Sequence, residues 1–117
     1  MRTIHTEVRT IHTYQELIDR DNTVNRDTER RSMFYILSGY EDLFNKVDDI
    51  YNFEEHFIKP ECLEDNSGEF SSTEIKLITL AFNHYNGYPA DVRDVLHSLD
   101  ENTLELALNS MKLRYFR

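Results

Sequence analysis

The chain has 117 residues, is 39% hydrophobic and 30% charged, and carries a formal net charge of −9 with only three Gly and two Pro. That length fits one domain, the apolar content excludes a disordered polymer, and the scarcity of turn residues favours long helices over many short strands. No run of about 18 apolar residues is present, which excludes a membrane-spanning helix, and the lone Cys62 excludes an internal disulfide.

The chain opens on a duplication, RTIHT at residues 2–6 and again at 9–13. Its β-branched residues and missing cap predict a flexible leader over residues 1–12, with a short strand or a helical arm as the alternative, followed by a single helical domain over 13–117. The first helix is expected from Thr13 to Arg20, with Tyr14, Leu17 and Ile18 on one face and Thr13 and Glu16 as a capping box. DNTVNRD reads as a loop ending in Asp27, the N-cap of a second helix. Met33, Ile36, Leu37, Tyr40, Phe44 and Val47 recur at spacings of three and four, which is helical periodicity. Gly39 interrupts this run, either as a break between two helices or as a close helix contact.

Residues 50–70 form an irregular acidic segment. Pro60 stops any helix before it, and LEDNSGEF has the composition of a loop. A third helical region begins at Ser71, with Glu74 completing a capping box. Ile75, Ile78, Phe82 and Tyr85 lie on one face, and Leu77, Leu80 and Ala81 widen it. Gly87 ends this helix and Pro89 follows. A short helix over Asp91–Leu99 turns Val92, Val95, Leu96 and Leu99 inward. Asp100 then caps a last helix with a face of Leu104, Ala107, Leu108, Met111 and Tyr115. The expected fold is all-α, a compact bundle of about five helices.

Charge is distributed unevenly. Residues 1–40 balance six Arg against six acids, and residues 70–117 sum to −1. Residues 41–69 hold ten acids against Lys46 and Lys59, so nearly the whole imbalance lies there. A field of that sign repels phosphate backbones and attracts basic surfaces, which disfavours direct nucleic-acid binding. Asp48, Asp49, Glu54 and Glu55, interleaved with Tyr51, Phe53 and Phe57, are the residues expected to contact a basic partner. Aromatic anchors ringed by charge suit a protein interface.

Catalytic signals are sparse. There is no Gly-rich phosphate loop, no GxSxG and no HExxH. His56 and Cys62, flanking Pro60, are the sharpest chemical pair: with His84 or His97 they would form a zinc ligand set, although no CxxC or HxxxH spacing accompanies them. Cys62 with His56 or His84 as base has the parts of a nucleophilic pair. Against both stands the plainer reading of Cys62 as a small core residue and His56 as a residue of an amphipathic face. No catalytic residue and no cofactor are expected, with zinc at His56 and Cys62 the alternative.

The runs SMFYILSGYEDLF, IYNFEEHFIKPECL and LDENTLELALNSMKLRYF together resemble an uncharacterised domain family of Gram-positive bacteria and their mobile elements, over residues 28–117. IKPECL at 58–63 is the most specific of these strings. The resemblance implies a mobile-element context and no particular chemistry. Small size, concentrated negative charge and absent catalytic motifs also resemble the general character of phage anti-CRISPR inhibitors. The expectation is therefore a cytoplasmic, non-catalytic inhibitor that occupies the nucleic-acid-binding surface of an effector nuclease such as Cas9, with carboxylates standing in for phosphates. A housekeeping or toxin–antitoxin-type binding module, or a small metal-binding protein or enzyme, are the alternatives.

Overall fold

The first helix, α1, spans Ile4–Asp21. The computed structural model describes residues 4–64 and 69–116, with side chains from His12 onward; residues 1–3 of the expected leader and 65–68 of the LEDNSGEF loop lie outside the described residues. Helix α1 starts at Ile4, nine residues before the expected Thr13. Thr and Ile disfavour helix by less than about 1 kcal/mol each, too little to stop a helix from elongating once nucleated. Thr13 is thus mid-helix rather than an N-cap, and its hydroxyl donates to the Ser38 carbonyl at 2.9 Å. The end of α1 is a Schellman motif. Asn22 takes a left-handed φ of 60°, its N–H reaches Asp19 O at 3.2 Å, and Thr23 N–H reaches Ile18 O at 3.0 Å.

Helix α2 (Thr28–Gly39) starts at the Asp27 cap, whose carboxylate accepts from Arg30 N–H. It buries Met33, Phe34, Ile36 and Leu37 and packs against α1 and against both long C-terminal helices. Tyr40 is extended, breaking the run before α3 (Glu41–Asn45) and a 3₁₀ turn at Val47–Asp49. Gly39 stays in α2 and serves close contact: a Cβ there would lie 2.3 Å from Leu106 Cδ1.

Within the acidic segment β1 (Tyr51–Asn52) and β2 (Phe57–Ile58) form an antiparallel hairpin, followed by the single turn α4 (Glu61–Glu64). The long α5 (Ser72–Asn86) carries the full capping box between Ser71 and Glu74 and ends on Gly87 at φ 79°. Asp91 caps α6 (Val92–Leu96), and Asp100 caps α7 (Glu101–Tyr115). Seven helices and one hairpin among the described residues make the fold all-α, with α3 and α4 as short additions to the expected five.

Predicted inward positions on α5, α6 and α7 turn outward. Ile75, Val92, Leu108 and Tyr115 are exposed, whereas α7 buries Thr103, Leu106, Ala107 and Ser110. The opening left by Gly39 admits Leu106. Thr103 donates to Asp100 and Ser110 to Ala107 O, so neither hydroxyl enters the core unpaired. No helix among the described residues is long and apolar enough to cross a membrane.

Candidate functional site

The hairpin obeys the two-residue period of a strand. Tyr51 pairs with Ile58 and both face the core, while Asn52 pairs with Phe57 on the outer face. Asn52 Oδ1 accepts from the N–H groups of Glu54 at 2.9 Å and Glu55 at 3.0 Å, which shapes the turn. Lys59 N–H continues the pairing to Ile50 O at 2.8 Å. The two lysines of the acidic segment are both drawn onto backbone carbonyls, Lys59 Nζ to Asp48 O and Lys46 Nζ to Glu69 O, each at 2.7 Å.

Beneath the hairpin lies a buried carboxylate that the Schellman turn places at the end of α1. The Asp21 side chain is 1% exposed. Its Oδ1 accepts from Tyr51 Oη and lies the same 2.8 Å from His56 Nδ1; Oδ2 accepts from Thr23 Oγ1 at 2.5 Å. Arg30 Nε stands 4.0 Å from Oδ2, and Arg30 Nη1 pairs with Asp27 at 3.0 Å. Arg30 Nη2 and Tyr85 Oη both donate to the carbonyl of His56, at 3.2 and 2.9 Å. His56 holds φ at 60°, a left-handed backbone that a non-Gly residue keeps only under such restraint. Burial first, then Asp21, raises Tyr51 well above the ordinary phenol range, so it remains a donor.

Above this cluster the predicted contact residues divide. Asp48, Asp49, Glu54 and Glu55 are exposed, as is Phe57 at 60%. Asp48 forms an ion pair with Arg20. Tyr51 is fully buried and is corrected from contact residue to core anchor. It packs edge-on to Phe34, with ring centroids 5.0 Å apart. Phe53 is half-buried, stacked on Phe34 at 5.7 Å with the Arg20 guanidinium 3.9 Å above its ring. Tyr51 and Phe53, two residues apart, both turn toward Phe34, whereas Phe57 shares the outer face with Asn52, a division the charge pattern alone did not reveal.

His56 and Cys62 are engaged separately. The His56 ring is held by Asp21, whereas Cys62 lies half-buried against the core. Burial, then Glu61 and Asp49, push the Cys62 thiol up to about 12, the opposite of what a thiolate nucleophile needs. Among the described residues no group of three or more His, Cys, Asp or Glu is placed to hold a metal ion. Sequence reasoning missed Asp21, Thr23, Arg30 and Tyr85 as partners of this segment. Arg30 and Tyr85 were legible only as helix residues, and nothing local marked Asp21.

A carboxylate-anchored hairpin carrying an acidic outer face on an all-α frame is the arrangement these residues define. The chain belongs to a family of unknown function, DUF6075, whose profile matches residues 2–117. The RTIHT duplication therefore lies within the family match. No curated protein and no solved structure matches the chain.

Proposed function

We propose that this protein is a non-catalytic binding module that presents the acidic hairpin face to a basic protein surface. The observation that carries the reading is a combination: Asp48, Asp49, Glu54 and Glu55 are exposed beside Phe57, while Lys46 and Lys59 are turned onto carbonyls. The segment's own cations are thus tied to the backbone, and the aromatic supplies apolar contact area. The finer form of the proposal is an inhibitor of phage or mobile-element origin. Its carboxylates take the place of phosphates in the nucleic-acid groove of an enzyme such as the CRISPR nuclease Cas9.

The test begins with capture of the partner and measurement of its affinity between about 50 and 200 mM salt, a range over which exposed attractions are progressively screened. Affinity falls at least about tenfold over that range. Asp49, Glu54 and Glu55 changed together to Lys lose at least about a hundredfold, since close interfacial charge pairs are worth about 1.5–7 kcal/mol. The control, Glu16, Asp94 and Glu101 changed to Lys, stays within about threefold; these acids are also exposed but lie outside the hairpin. Equal loss in the two variants, or binding indifferent to salt, refutes the acidic-face reading. Capture of a partner without a nucleic-acid groove removes the inhibitor form and leaves the general one.

A further inference from the structure

Between α5, α6 and α7 lies a void of about 160 Å³ walled by Leu80, Ala90, Val95, Met111 and the His84 side chain, with Val92 and Tyr115 also lining it. The last two are 63% and 60% exposed, so they form a rim open to solvent. His84 itself is 1% exposed.

The hydrogen bonds around His84 fix its tautomer. Ser110 Oγ donates to Ala107 O at 2.6 Å and has no second proton to give. The 3.0 Å contact between Ser110 Oγ and His84 Nε2 is therefore donated by the imidazole N–H. Nδ1 is left as a bare acceptor, buried and without a partner. Burial, with Arg114 as the second cause, lowers the imidazole to about 4, so the ring is neutral at physiological pH. Buried polar atoms are almost always satisfied, and an orphan in the wall of an apolar void calls for a donor from outside the chain.

Volume and lining define that donor's chemistry. An apolar cavity of about 150 Å³ accommodates one benzene ring. We propose that this pocket binds a small monocyclic aromatic molecule bearing one hydroxyl, with the ring against Leu80, Val95 and Met111 and the hydroxyl donating to His84 Nδ1. The site is separate from the acidic face, since its lining shares no residue with the hairpin.

The test uses the full chain, labelled with ¹⁵N, titrated at neutral pH with phenol and separately with toluene, which has similar shape and no donor. Phenol shifts the amide resonances of residues 80–84, 90–95 and 111–115, moves the His84 Nδ1 resonance, and binds at least about tenfold more tightly than toluene. In His84→Phe the preference falls to about one. Val92→Trp, on the exposed rim, abolishes binding of both molecules while the rest of the spectrum is unchanged. Equal affinities in the wild type, binding of neither molecule, or shifts mapping elsewhere overturn the proposal. If His84→Phe does not fold, the wild-type ratio and Val92→Trp decide.

Discussion

Asp21 and His84 are both buried ionisable side chains, and two regions of the molecule treat them oppositely. Asp21 receives hydroxyls from Tyr51 and Thr23, the His56 ring nitrogen, and Arg30 nearby. His84 has one partner for its two nitrogens. At the hairpin end, polar groups supply the cross-links that a two-residue strand pair cannot supply by itself, because short hairpins are marginal in water. Between α5 and α7, apolar packing already holds the helices, so a polar atom is left with unused capacity. The Asp21 carboxylate has partners on both oxygens and fixes geometry; the His84 imidazole keeps one nitrogen unused.

The largest expected effect tests the first half of that contrast. Asp21→Ala strands the Tyr51 and Thr23 hydroxyls and the His56 ring, and should cost about 3–5 kcal/mol in urea denaturation. Asp49→Ala, exposed, should change stability by no more than about 0.5 kcal/mol. A loss below about 1 kcal/mol for Asp21→Ala would mean that the aromatic stack of Phe34, Tyr51 and Phe53 anchors the hairpin without help.

Acid sharpens the second half. The folded His84 titrates near 4 and the unfolded group near 6.5. Below 6.5 the unfolded chain therefore binds the extra proton, and stability drains away as pH falls from about 6.5 to about 4. One pKa unit is about 1.4 kcal/mol, so the loss approaches about 3 kcal/mol. His84→Phe removes this contribution to the slope. A stability-against-pH curve with equal slopes in wild type and variant would show that the imidazole is hydrated in the folded state.

The smallest effect lies at the turn between α6 and α7, where Ser98 is exposed with φ at 73°. Ser98→Gly relieves a left-handed backbone and should stabilise by about 1 kcal/mol in thermal denaturation. A neutral or negative result would mean that the gain in unfolded-state entropy offsets the relief.

Much of the frame was legible because its signals are local. Asp27, Ser71 with Glu74, and Asp100 all cap helices, and Gly87 ends one. Met33, Ile36 and Leu37 are buried as their spacing required. Of the predicted contact surface, the four acids and Phe57 are exposed, but Tyr51 is not, since alternation along a strand assigns neighbours to opposite faces.

Caps, periodicity and composition, acting over a few residues, were sufficient for the sequence alone to determine an all-α domain and an acidic middle. Only the tertiary structure decided which face of α7 turns inward, because the space beside Gly39 favours Leu106 over the expected Leu108. It likewise decided that Asp21 meets Tyr51 and His56 across 30 and 35 residues, and that His84 keeps one nitrogen free. Hydrogen bonds between side chains so far apart leave no periodic trace in the chain. Their partners are selected by where the helices place them, and that placement depends on the packing of the whole.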